Sequence, residues 1–176
     1  DRTIADPTNF NWFTPGTKRQ HGAHQSMWEP LFILNYVTGE IEPWLGLSIT
    51  PNDRLDVWTL SLRDGVMWSD GEAFNADDVV FTINMQQGDE PSVLTEAASM
   101  QQWVDSVEKV DDLTVQFTLL AANPRFQLDY FSVRIFNSLL IMPEHVWAVQ
   151  DPFTFSFYDE EQGWPIGTGP YTLTSS

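Results

Sequence analysis

A mixed α/β domain is predicted, on three observations. Val57, Thr59 and Ser61 alternate with Trp58, Leu60 and Leu62, and Val115, Phe117 and Leu119 alternate with Thr114, Gln116 and Thr118, so two strands each turn one face to a core. Between them a helical pattern opens at Asn75, a residue suited to capping the first turn. Of the 176 residues 42% are hydrophobic and 19% charged. A chain of this length buries roughly 70% of its unfolded surface, enough for one ordinary domain or one lobe with a small insertion.

The elements follow in order. Residues 1–30 carry turn formers and polar groups with little periodicity, and Pro15-Gly16 and His21-Gly22-Ala23-His24-Gln25 read as an ordered loop that ends at Trp28-Glu29-Pro30. Residues 31–37 form an apolar run that predicts a buried strand, reversed by Thr38-Gly39-Glu40 toward residues 41–45. After the strand at 57–62, Arg63-Asp64-Gly65 turns the chain, and Val66-Met67-Trp68 is expected to return as the second arm of a hairpin. Asn75 then caps a helix whose first turn carries Asp77 and Asp78, where the helix dipole favours negative charge, and whose core face begins with Val79, Val80 and Ile83. A second helix is expected over 95–108, through Ala97, Met100, Trp103, Val104 and Val107. Asp111-Asp112 turns into the strand at 114–119, which should pair with the strand at 57–62. Asn123-Pro124 opens a third helix to about Tyr130. A short buried strand at 138–142, a helical turn after Pro143, an aromatic and acidic surface segment at 151–161 and a Gly- and Pro-rich crossing at 163–171 complete the chain.

Charge and composition exclude several functions. The chain holds 25 Asp and Glu against 8 Lys and Arg, a net charge of -17, and such a field repels phosphate backbones and anionic headgroups, so nucleic acid is not an expected partner. With no Cys there is neither a disulfide nor a thiolate nucleophile or metal ligand. No apolar run approaches the roughly 18 residues of a membrane span. The chain opens Asp1-Arg2-Thr3 without Met or a basic-then-apolar leader, which is read as a removed leader or a start inside a longer protein.

No catalytic or metal constellation assembles. His21 and His24 stand three apart, but Gly22 lies between them and no Asp or Glu shares their loop, so polar loop contacts are favoured over a metal. His145, beside Pro143 and Trp147, reads as a packed or capping histidine. The acidic pairs Asp77-Asp78, Asp111-Asp112 and Glu160-Glu161 point in diverging directions and read as caps and solvated faces. In Gly167-Thr168-Gly169-Pro170-Tyr171-Thr172 the third glycine of a dinucleotide loop is replaced by Thr172. No cofactor is expected. Of the eight Trp, packing is expected of Trp58, Trp68, Trp103 and Trp147, whereas Trp12, Trp28, Trp44 and Trp164 border irregular segments, where an aromatic face either packs or stacks on a ligand.

The run Leu62-Arg63-Asp64-Gly65-Val66-Met67-Trp68-Ser69-Asp70-Gly71, followed by Phe74-Asn75-Ala76-Asp77-Asp78-Val79-Val80-Phe81-Thr82, resembles the signature of extracellular solute-binding proteins of family 5, the oligopeptide, dipeptide and nickel receptors of ABC importers. Glu42-Pro43-Trp44-Leu45, Ile141-Met142-Pro143-Glu144-His145-Val146-Trp147 and Gly167-Thr168-Gly169-Pro170-Tyr171 fall in the family's order, and the likeness covers nearly the whole chain. At Gly46-Leu47 many members of the family carry Ala-Glu instead.

The resemblance implies a periplasmic-binding-protein-like class II fold. Members are longer and close two lobes over a ligand, so the chain is expected to be lobe I with an inserted small subdomain, the second lobe absent. The expected division is 1–50 for the first segment of lobe I, 51–163 for the insertion and 164–176 for the return. It further implies that the loop at 20–25, with His21, Gly22, His24 and Gln25, faces the cleft beside Trp28, and that Thr168 lies on a crossing strand near the same cleft. The implied function is capture of an oligopeptide for ABC permease subunits outside the cytoplasmic membrane, by a monomer and without catalysis. An oligosaccharide is the alternative ligand, and a hydrolase or metal-dependent enzyme a more distant one.

Overall fold

In the computed structural model, which describes residues 9–14, 26–89, 93–133 and 138–174, the chain forms two sheets joined by short helices. In order these are β1 (Phe32–Leu34), β2 (Ile41–Pro43), β3 (Gly46–Pro51), β4 (Val57–Leu62), α1 (Ala76–Gln87), α2 (Ala97–Trp103), β5 (Val104–Asp111), β6 (Thr114–Leu119), a π-helical turn (Gln127–Phe131), β7 (Ser132–Val133) and α3 (Glu144–Trp147). One sheet has the order β2-β1-β7, with β7 parallel to β1, and the other the antiparallel order β3-β4-β6-β5.

The alternating strands behave as their pattern requires. Burial alternates along β4 and β6, and the two pair as expected, with Trp58 opposite Phe117 and Leu60 opposite Val115. The reversal at 38–40 is present, with β1 antiparallel to β2, but Tyr36 is 63% exposed because the chain leaves the sheet after Leu34 and turns over 36–38. β3 belongs to the four-stranded sheet and β7 to the three-stranded one. Gly46 has a packing reason: a Cβ there would lie 2.6 Å from the ring of Phe32.

Four expectations are corrected. Val66-Met67-Trp68 does not pair with β4, whose two edges are taken by β3 and β6; Met67 bridges Ala73 and Trp68 N–H donates to the Glu72 carbonyl, closing a smaller hairpin. The helix expected over 95–108 ends at Trp103, and the rest is β5. Valines at 104 and 107 imitate helical spacing, yet a bulge between Val104 and Ser106 shifts the strand register, so that both bury on one face. The segment after Asn123 winds as a π-helical turn rather than an α-helix. That winding sets Phe126 and Phe131 together, ring centroids 5.2 Å apart, against Phe117. Residues 151–161 are not merely a surface: Phe157 is fully buried and Phe155 packs on the core.

Residues 139–142 are buried as expected but join neither sheet among the described residues; Leu139 N–H donates to the Tyr130 carbonyl at 2.8 Å, and α1 side chains hold the end of the segment. Met142 N–H donates to Thr82 Oγ1 at 3.0 Å, and Glu144 N–H donates to Asp78 Oδ1 at 2.9 Å. Asp78 Oδ2 also accepts from Asn75 N–H at 3.0 Å, closing the capping box of α1, and from Trp68 Nε1 at 3.1 Å. One buried carboxylate thus joins the helix cap, the small hairpin and the start of α3.

Candidate functional site

The strongest convergence of distant segments lies along residues 166–171. Trp28 Nε1 donates to the Ile166 carbonyl at 2.8 Å, Gly169 N–H to the Met27 carbonyl at 2.8 Å, and Tyr171 N–H to the Ser26 carbonyl at 3.3 Å. Thr168 Oγ1 accepts from Glu29 N–H at 3.3 Å. On the other side Ser69 N–H donates to the Gly167 carbonyl at 2.9 Å. The crossing segment is therefore pinned between residues 26–29 and the turn at Ser69. The approach is closer than any side chain permits, since a Cβ at Gly167 would collide with the Met27 carbonyl oxygen and one at Gly169 with that of Ser26.

Thr168 is half-buried in this arrangement, while Trp28 is 2% exposed and lies beneath it. The Trp28 indole packs edge-on to Trp12 at 6.0 Å and beside Phe10 and Phe157. His21, Gly22, His24 and Gln25 lie outside the described residues; the described chain resumes at Ser26, directly on the crossing segment. On the other side of that loop, buried Asn11 fixes the chain, its Oδ1 accepting from Phe13 and Thr14 N–H and its Nδ2 donating to the carbonyls of Pro152 and Phe155.

Sequence reading missed a small pocket lined by Trp12, Phe13, Thr95, Glu96, Ser138 and Leu139. Thr95 draws two of its segments together, donating from N–H and from Oγ1 to the Phe13 carbonyl at 2.9 and 3.0 Å. It is a void with room for about one water molecule, lined by aromatic rings and few polar groups. No local motif announces it, because its walls come from three separated stretches; the Trp12–Trp28 contact ties it to the crossing segment. Trp44 is 44% exposed, with Nε1 donating to Glu29 Oε1 at 2.8 Å, and Trp164 is half-buried, edge-on to Phe155.

His145 is exposed rather than packed, because the start of α3 faces solvent there; its Nε2 lies 2.8 Å from Asp70 Oδ2. Among the described residues no three His, Asp or Glu side chains are placed to hold a metal ion. Asp78 is committed to structure, with three N–H donors aimed at its two oxygens; burial pushes its carboxyl above 3.8, against the pull of those donors.

Trp28→Phe removes the donor to Ile166 and shrinks a buried ring. The expected result is a loss of about 2–3 kcal/mol of stability, read as a lowered urea midpoint at unchanged slope, because the Ile166 carbonyl loses its partner and the smaller ring leaves a cavity.

The model for "Bacterial extracellular solute-binding proteins, family 5 Middle" matches residues 40–176. The dipeptide-binding protein of Escherichia coli is 30% identical over 184 residues, an alignment covering 95% of this chain and 33% of that protein. A mannohexaose-bound structure of the periplasmic oligopeptide-binding protein of an oligopeptide ABC transporter from Thermotoga maritima superposes with a TM-score of 0.65 at 28% identity, over 85% of this chain and 26% of that one. The oligopeptide-binding protein AppA of Bacillus subtilis, solved with a nonapeptide, shares the fold with a TM-score of 0.74 at 23% identity, over 96% of this chain and 32% of that one. The chain thus spans 26–33% of the length of these three relatives.

Proposed function

Because the chain belongs to family 5 of the bacterial extracellular solute-binding proteins, we propose that it forms one wall of a two-lobed cleft that captures an oligopeptide outside the cytoplasmic membrane and presents it to an ABC permease. The observation that carries this reading is the crossing segment at 166–169, pinned by its backbone to residues 26–29. A ligand cleft needs polar groups held rigidly at its mouth, and this segment holds Thr168 and residues 26–29 against a packed aromatic floor. In this reading His21, Gly22, His24 and Gln25 offer hydrogen bonds from the loop and Thr168 from the crossing segment. Trp28 holds the crossing segment from beneath through its bond to the Ile166 carbonyl. The protein acts as a monomer, without a catalytic step or cofactor. Lobe I is built from residues 1–50 and 164–176, with 51–163 as the insertion. Among the described residues no helix is long and apolar enough to cross a membrane.

An oligosaccharide is the second reading, favoured by the mannohexaose-bound relative. Calorimetric titration of the whole protein with peptide and cello-oligosaccharide libraries separates the two. Saturable heat with peptides is the expected result, heat only with sugars supports the second reading, and turnover of either without a binding plateau overturns both. His24→Ala and Gln25→Ala are expected to weaken binding by about 3- to 10-fold each, one hydrogen bond's worth, with the melting temperature unchanged. Residues 1–176 alone should bind only weakly, because the opposite wall of the cleft is not in them; a submicromolar Kd for this segment would overturn the two-lobe reading.

A further inference from the structure

We infer that this fold draws a large part of its stability from dissolved salt, because solution cations rather than protein cations neutralise its surface. The inference is independent of the ligand reading. The chain carries -17 net charge, with 25 Asp and Glu against 8 Lys and Arg. The ion pairs among the described residues place Arg54 on Asp56, Lys109 on Asp77 and Asp112, Arg125 on Asp129 and His145 on Asp70. Arg63 turns its Nε to the Trp44 carbonyl, 2.7 Å away, instead of to a carboxylate. Glu40, Asp53, Asp105, Glu108 and Glu161 stand exposed, outside those pairs.

Folding gathers these carboxylates onto one compact surface, and unfolding separates them, so their repulsion favours the unfolded chain. The corner between α1 and the β5–β6 turn shows the imbalance: Lys109 Nζ lies 2.8 Å from Asp77 and 2.7 Å from Asp112, one ammonium shared by two carboxylates of different elements. Both carboxylates hold that amine well above its ordinary value. Salt acts on all the remaining charges at once. The screening length falls from about 10 Å at 0.1 M to about 3 Å at 1 M, shorter than most separations between surface carboxylates.

Thermal unfolding of the chain in about 50 mM and about 1 M NaCl tests this. The midpoint is expected to rise by roughly 8 °C or more, a shift worth a few kcal/mol-scale surface interactions. Choline chloride should give the same rise as NaCl, since screening does not depend on the cation. A variant carrying Glu40→Gln, Asp53→Asn, Asp105→Asn, Glu108→Gln and Glu161→Gln is expected to melt higher than the wild type at low salt and to gain less from added salt. Lys109→Gln provides a check that needs only one substitution: it should lower the midpoint more in low salt than in high salt. A flat or falling midpoint in the wild type, a rise with NaCl that choline chloride does not give, or a neutralised variant that gains as much as the wild type would each overturn the inference.

Discussion

Replacing Asp78 by alanine is expected to destabilise the fold by about 3–5 kcal/mol, the size seen when one member of a buried polar network is removed. The side chain is 3% exposed, and its oxygens accept from Asn75 N–H, Trp68 Nε1 and Glu144 N–H. Alanine leaves those three donors without a partner where water cannot readily follow, and each lies on a different element. The helix cap, the hairpin and α3 should therefore loosen together, which hydrogen exchange at residues 68, 75 and 144 would register as a shared loss of protection. Protection lost at only one of the three would show that Asp78 is no joint between elements.

Asp78→Asn separates charge from shape. Burial pushes the Asp78 carboxyl above 3.8 in the fold, so between that value and the folded one the native state binds more protons than the unfolded state. Stability contributed by this group is present at low pH and falls as pH rises through the folded value. The wild type's advantage over Asp78→Asn in chemical denaturation is thus expected to be largest at acid pH and to shrink as pH rises above 3.8. An advantage that grows with pH would mean that the three donors outweigh desolvation.

Gly167→Ala is the second large effect, expected at about 3 kcal/mol. The added methyl meets the Met27 carbonyl oxygen, and backbone cannot rotate away as a side chain end could. Relief requires the crossing segment to lift from residues 26–29, breaking the Trp28–Ile166 and Gly169–Met27 hydrogen bonds. Gly169→Ala should act alike through Ser26. Faster hydrogen exchange at Gly169 N–H, which donates to the Met27 carbonyl, would report the lift. A melting temperature within about 1 °C of wild type would refute the close approach.

These sites differ in how far the sequence reveals them. The strands at β4 and β6, the Asn75 cap and the turn into α3 follow from periods and residue types within a few positions of one another, and they form where local pattern puts them. The β5 valines mislead because their spacing of three is read as helical, whereas a bulge, which only the partner strand defines, makes it a strand face. His145 and Tyr36 mislead for the opposite reason, since nothing in their neighbours says which way the element faces. Within the candidate site, neither the Thr168 contact with Glu29 nor the Trp12–Ser138 void was legible, because each joins stretches far apart in the chain.

What the sequence by itself determined is the class of fold, its family and its strongly negative surface, because period, motif and charge are properties of the chain in any conformation. Only the tertiary structure decided that Asp78 is a joint, that Trp28 is a floor and that Gly167 and Gly169 have room for nothing larger than hydrogen. The physical reason is that burial and close approach are set by segments far apart in the chain, here residues 26–29 against 166–169 and 78 against 144, and no local pattern encodes which distant backbone will arrive.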